Sequence, residues 1–375
     1  MRIVVIGGGV LGTMHAAELI GRGHEVVQLE REPEARGATV RNFGLVWVSG
    51  RSAAELPLTL RARQLWERIG ADVPGVGFRA CGSLTVLRSE AELAVAKQLA
   101  AAPDAAQRGV AVLDETETRR LNPALRGEFR AALWCSTDAA VESRVALPAV
   151  RAYLEPSGRY RFLPGREARR IDTGAGSSVG TATVRDQTGA RYDADLVLLC
   201  PGATLTGLAA ELAGDLPVRR VRLQMMQTAP LGERLTTSVA DGDSLRYYPA
   251  FDVPAARSLP PQATVGAVWR AQLLISQRAG GELTIGDTHV YDEPYDFAVE
   301  EEPYEHLAAK SESILGRTLP PVQRRWAGVY SQATDASVCV RVTPEPGLVV
   351  VTGPGGRGMT LSPAIAAETF EGMGW

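Results

Sequence analysis

The chain has 375 residues, 45% of them hydrophobic and 22% charged, with a net charge of −3 at pH 7. That length suits two domains around a large core, and the near-neutral balance removes any general reason to expect nucleic acid or an anionic membrane surface as partner. No apolar segment approaches the roughly 20 residues of a membrane helix, and Cys81, Cys135, Cys200 and Cys339 are dispersed without metal spacing; a reduced, cytoplasmic setting without metal is expected.

The opening apolar run, residues 3–6, leads into Gly7-Gly8-Gly9-Val10-Leu11-Gly12, a helical pattern to Arg22 and a second apolar strand ending in Glu30. Three glycines break the run too early for a signal peptide. Strand, glycine turn, helix and strand in this order form a dinucleotide-binding unit. Gly7 permits the tight turn, Gly9 lets backbone approach a pyrophosphate, and Gly12 lets the helix pack closely on the strand. The helix N-terminus turns N–H groups and partial positive charge towards the phosphates. Glu30 can accept hydrogen bonds from ribose hydroxyls and would repel a 2′-phosphate. A plain helix entry is the alternative, and the motif alone does not choose between NAD and FAD.

After Glu30, Arg36, Thr39, Arg41 and Asn42 crowd polar groups around Gly37 and Gly44. Such a loop suits contact with a large anionic cofactor, or serves as an exposed connection. Residues 57–69 read as an amphipathic helix, 81–87 as a strand, 90–101 as an Ala-rich helix and 113–123 as a short helix stopped by Pro123. A further helix begins between residues 141 and 154, residues 160–163 are strand-like, and the buried run 195–200 ends in Pro201-Gly202-Ala203. From 218 to 289 the runs are β-like and include Arg246-Tyr247-Tyr248-Pro249; a strong amphipathic helix fills 300–315. Finally a strand at 348–352 enters Gly353-Pro-Gly-Gly-Arg357-Gly-Met-Thr-Leu-Ser-Pro363 and another helix.

The two glycine turns at opposite ends imply one nucleotide domain built from both termini with another inserted. The expected fold is α/β with an α+β second domain: a Rossmann-like FAD-binding domain of residues 1–80, 140–217 and 322–375, and an inserted antiparallel-sheet substrate domain of residues 81–139 and 218–321.

GGGVLG with Glu30, the middle strand DLVLLCPGA, and the C-terminal WAGVYSQATD followed by VVVTGPGGRGMTLSPA resemble the D-amino-acid oxidase, glycine oxidase and sarcosine oxidase superfamily of FAD enzymes. The resemblance spans the chain. RNFGLVW near residue 41 resembles a branch of that superfamily associated with aminophosphonate breakdown. It implies FAD, with Gly7, Gly9, Val10, Leu11 and Gly12 at the pyrophosphate and Glu30 and Arg31 at the adenosine ribose. Thr39, Arg41 and Asn42 would lie along the cofactor, Glu167 and Ala168 near adenine, and Gly202 near the isoalloxazine. Gly356, Arg357, Gly358, Met359 and Thr360 would stand at the flavin's pyrimidine side, where N–H groups and a cation favour reduced flavin.

Two departures carry information. The arginine that binds the substrate carboxylate in glycine and D-amino-acid oxidases is expected shortly after Trp326-Ala327-Gly328, where this chain has Tyr330. The cysteine that attaches flavin in monomeric sarcosine oxidases has no match, because Cys339 falls beyond that position; FAD is expected to be non-covalent.

The expected reaction is oxidation of a small anionic amine, with oxygen or another acceptor reoxidising the flavin. Hydride leaves the carbon next to nitrogen for flavin N5, and water hydrolyses the imine. An aminophosphonate or N-methyl aminophosphonate is favoured; glycine, sarcosine or a D-amino acid is the alternative. An FAD-binding subunit without turnover and an NAD-linked dehydrogenase are further readings. Arg41, Arg246 and Arg357 are the candidate cations for the substrate, with Tyr247, Tyr248 and Tyr330 as hydroxyl donors. Arg51, Arg61 and Arg63 read as solvated charges, and His15 as a packing residue. Lys97 and Lys310, the only lysines, lie on expected helices, away from a flavin.

Overall fold

The computed structural model describes residues 1–173 and 182–374. Strand Arg2–Ile6 is buried through Ile3, Val4 and Val5, as a strand covered on both faces must be. It lies between Glu25–Glu30 and Leu196–Leu199, parallel to both. Tyr160–Pro164 and Leu348–Thr352 extend this sheet in parallel on either side, and Val340–Glu345 closes one edge antiparallel. Strands from both ends and the middle of the sequence thus stand side by side.

Helices Val10–Gly21, Leu56–Asp72, Ala146–Leu154 and Gly358–Glu371 supply one core through residues such as Leu19, Trp66, Leu147 and Phe370. A three-stranded meander, Ala168–Thr173, Ala182–Asp186 and Arg191–Ala194, helps bury Val4, Leu29, Val197 and Leu199 in another.

An eight-stranded sheet forms the second body, in the order Val322–Ala333, Val218–Pro230, Glu282–Gly286, Leu274–Gln277, Ser238–Ala240, Ser83–Leu87, Ala131–Cys135 and Val110–Asp114. Only the pairing of Ser238–Ala240 with Ser83–Leu87 is parallel. Strand Val322–Ala333, which the expected boundary at 322 assigns to the nucleotide domain, pairs with Val218–Pro230 over most of its length. Helix Glu301–Leu315 packs Tyr304, Leu307 and Ile314 into the core beneath this sheet. Ser89 with Glu92, and Asp114 with Glu117, form capping boxes that start two further helices.

Residues 246–249 are not a strand. Ser244–Tyr247 is one helical turn, followed by a 3₁₀ turn at Pro249–Phe251. The cause is local: Asp241 accepts from the amides of Asp243 and Leu273, each at 3.2 Å, and Lys310 pairs with Asp241 and Asp243. Pro249 lacks the N–H that a ladder would need.

Candidate active site

A cavity of about 890 Å³ runs between the two bodies, from Glu30 and Glu167 past both glycine turns to Tyr247 and His289. Every residue that the resemblance assigns to FAD lines it. At the N-terminal turn Gly7 has φ +113°, and a Cβ there would lie 2.3 Å from the Cys200 carbonyl oxygen. A Cβ on Gly12 would lie 2.1 Å from the Gly7 carbonyl oxygen, whereas Gly9 faces comparatively open space. These are the demands of a phosphate cradle: close packing behind the turn and room in front. Gln28 braces it, donating to Gly7 O at 2.8 Å while accepting from the Tyr160 hydroxyl at 2.6 Å. Helix Val10–Gly21 begins at Gly9 without a capping side chain there. Glu30 accepts from the amides of Gly8 at 2.6 Å and Glu32 at 2.9 Å, so its carboxylate is oriented at the strand end beside the turn.

The C-terminal turn is tied to residues 45–47. The Trp47 amide donates to Thr360 Oγ1 at 3.0 Å, Thr360 Oγ1 donates to the Leu45 carbonyl, and Trp66 Nε1 donates to Met359 O at 2.9 Å. Arg357 pairs with Glu55 and donates to Ser337 O. Burial opposes ionisation of Glu55, but the Arg357 and Arg51 guanidiniums outweigh it and hold the carboxyl below its ordinary value. Gly356 leaves space towards the Tyr330 hydroxyl. Gln332 Oε1, also on the cavity wall, is buried without a partner among the described residues. A close-packed glycine cradle at one end and an unsatisfied acceptor beside a glycine turn at the other fit a flavin dinucleotide.

Beyond Tyr330 the wall becomes aromatic. Tyr247 neighbours Tyr330; its ring packs edge-on to Tyr248 and stacks on His289 at 4.3 Å. Gln272 donates to the Tyr248 hydroxyl at 3.3 Å. Burial pushes the hydroxyls of Tyr247, Tyr248 and Tyr330 above their ordinary range, so all three remain donors. Tyr247 and Tyr248 both face the cavity, against the one-in, one-out alternation of a strand.

Arg246 does not line the cavity. Its side chain pairs with Asp243 and reaches the Pro260 carbonyl, because a helical turn sends it away from its two tyrosine neighbours. Arg41 stands at the rim and donates to Ala327 O at 2.6 Å.

Arg51, expected as a solvated charge, is instead 6% exposed and lines the cavity. Its Nε donates to Trp47 O at 3.2 Å, and its guanidinium lies 5.8 Å from the Tyr248 ring centre. Its terminal nitrogens have no partner among the described residues, and burial pushes its pKa down. The turn beneath it is fixed. Arg108 donates to the Ser49 and Arg51 carbonyls, and Asp138 accepts from the Ser49 amide and hydroxyl. The available signal was the wholly apolar run before it, Leu45-Val46-Trp47-Val48, which marks an interior strand leaving no solvent for the next charge.

Arg61 does pair at the surface, with Glu371. Arg63 is largely covered, donating to Thr137 O and lying over Phe78. Neither Lys97 nor Lys310 lines the cavity. His15 is buried between the Leu11 carbonyl and Thr369, with its pKa lowered to about 4 by burial; it is a packing residue. Cys339 lies outside the cavity lining and burial raises its thiol pKa.

Fold and cavity together define a protein shaped to hold a dinucleotide between a six-stranded and an eight-stranded sheet. The sequence matches the family described as FAD dependent oxidoreductase over residues 2–371, and the chain belongs to that family. Its cofactor is FAD. No curated protein matches the chain. Solved structures share its fold: glycine oxidase from Geobacillus kaustophilus (TM-score 0.77, 20% identity, 99% of this chain and 94% of that one) and L-proline dehydrogenase from P. horikoshii (0.78, 20%, 97% and 91%). Iminodiacetate oxidase from Chelativorans sp. BNC1 aligns with TM-score 0.73 and 19% identity over 98% of this chain and 93% of that one.

Proposed function

We propose that this enzyme oxidises the C–N bond of a small anionic amine, and that the favoured substrate is an aminophosphonate or N-methyl aminophosphonate. The observation that carries the reading is Arg51: a buried cation on the cavity wall whose terminal nitrogens make no hydrogen bond or ion pair among the described residues, beside Tyr248 and within the field of Glu55. A planar guanidinium binds two oxygens of one phosphonate or carboxylate at once. The position after Trp326-Ala327-Gly328 where an amino-acid oxidase would carry its carboxylate arginine is Tyr330, which points the choice towards an anion held elsewhere. RNFGLVW supports the phosphonate class. The iminodiacetate oxidase neighbour is named for a small anionic secondary amine, which supports the broader class.

FAD, when bound, supplies the acceptor for the hydride that leaves the carbon next to nitrogen. Arg51 holds the anionic end, and the tyrosines and His289 enclose the amine end. Trp47, Tyr247 and Tyr330 exclude water while the C–H is positioned. Anaerobic titration of the holoenzyme with 2-aminoethylphosphonate, its N-methyl derivative, glycine and sarcosine tests this. Bleaching of the flavin by the phosphonates is the expected result; bleaching by glycine or sarcosine alone overturns the phosphonate assignment and leaves amine oxidation in place.

A further inference from the structure

Strand Glu282–Gly286 runs on into Asp287 and His289, both on the wall of the substrate chamber and only 6% and 3% exposed. His289 Nδ1 lies 3.1 Å from the Arg270 carbonyl oxygen. A carbonyl can only accept, so Nδ1 carries the hydrogen and the neutral ring keeps its lone pair on Nε2. That nitrogen is 3.8 Å from Asp287 Oδ2. The other carboxylate oxygen meets only Gln272 Nε2, at 3.4 Å, and among the described residues no lysine or arginine pairs with Asp287. An acid and an imidazole are therefore buried together at the reaction chamber, without the guanidinium or ammonium partner that a structural carboxylate would be expected to have.

Such a pair suits amine oxidation. A substrate amine with an ordinary pKa of about 10 arrives as ammonium at pH 7, and only the uncharged nitrogen has the lone pair that drives hydride from the adjacent carbon. We propose that Asp287 and His289 form the base that deprotonates the substrate, with His289 Nε2 as the acceptor and Asp287 as the counter-charge. The inference rests on the amine reading above. The N–H bond breaks, its electron pair stays on nitrogen, and the proton bonds to Nε2; the imidazolium is balanced by the Asp287 carboxylate until the proton returns to water. No oxidant is used in this step.

The surrounding titratable groups leave that role to the pair. Tyr247, Tyr248 and Tyr330 act electrostatically on Asp287 or are acted on by it, and all are held protonated by burial. Tyr291 flanks His289, Arg219 and Arg270 lie over the Tyr291 ring at 4.3 and 4.8 Å, and Arg51 lies over Tyr248 at 5.8 Å. Burial pushes the Asp287 carboxyl up and His289 pulls it down.

The test uses FAD-loaded enzyme and whichever of the four amines above bleaches it fastest, so failure of the phosphonate assignment leaves it intact. Anaerobic rapid mixing from pH 6 to 10 gives the rate of flavin reduction. In the wild type the acid limb should lie well below the amine's own pKa. In His289→Gln and Asp287→Asn the rate at pH 7 should fall about 100-fold and recover to within about threefold of wild type at pH 10, where about half of the amine is neutral without help. A deficit equal at every pH, or an unchanged acid limb in both variants, overturns the proposal. So does a wild-type limb at the amine's own pKa, a measurement that needs no variant to fold.

Discussion

The two ends of the cavity are made of different material. The end expected to hold adenosine is mostly backbone: a glycine turn braced by Gln28, a helix start and the strand that ends in Glu30, with Glu167 and Ala168 beside them. The substrate end is side chains from four separated stretches, with Arg51, Tyr247 with Tyr248, Asp287 with His289, and Tyr330. A cofactor shared across a family can be held by backbone, whose shape depends on few residue identities. A particular substrate must be told apart by charges and hydroxyls, which each chain supplies differently.

Experiments at the two ends should separate binding of FAD from turnover. The largest effect is expected from Gly12→Val: a Cβ 2.1 Å from the Gly7 carbonyl oxygen forces helix and turn apart. FAD affinity should fall about 1,000-fold, near 4 kcal/mol, and the protein should purify colourless. Arg51→Met should do the reverse, retaining the yellow flavin spectrum while kcat/KM for the anionic amine falls about 100-fold. Equal loss for a neutral amine of the same size would break the assignment of Arg51 to the anion.

Between the two ends, the Glu55–Arg357 pair links helix Leu56–Asp72 to the C-terminal turn. Glu55→Gln should cost about 2 kcal/mol at pH 7, read as a lower urea midpoint. The folded pKa of Glu55 is depressed below 4.5, so its contribution is present above that value and lost as pH falls through the folded pKa. The difference between variant and wild type should shrink below about pH 4. Cys339→Ala should have the smallest effect, and in wild type and variant alike denaturation should release all the flavin. Flavin that stays with the denatured wild-type chain would overturn the non-covalent expectation.

Gly7, Gly12, Glu30 and the Gly356–Thr360 turn were legible because local sequence determines local backbone: a glycine is required where a Cβ would strike a carbonyl, wherever that carbonyl comes from. The joining of both termini in one sheet was legible for a related reason, since two apolar strands ending at glycine turns need the same ligand. Tyr330 was found from its place in the WAG stretch, and the structure puts it beside Tyr247.

The errors lie where sequence proximity had to stand for spatial proximity. In the sequence Arg246 adjoins Tyr247 and Tyr248, but the Asp241–Lys310 anchor makes that stretch helical and sends the arginine to Pro260. Arg51 read as solvated because its immediate neighbours are small and polar; its burial depends on Arg108 and Asp138, 57 and 87 residues further on. Asp287 and His289 are two residues apart, but their place on the cavity wall and the tautomer of His289 depend on the Arg270 carbonyl and on stacking against Tyr247. The sequence by itself determined that a dinucleotide binds, because backbone geometry is written locally in glycines, and the family resemblance narrowed the dinucleotide to FAD. Only the tertiary structure decided which charges meet the substrate, because burial and pairing of a side chain depend on distant segments that close over it.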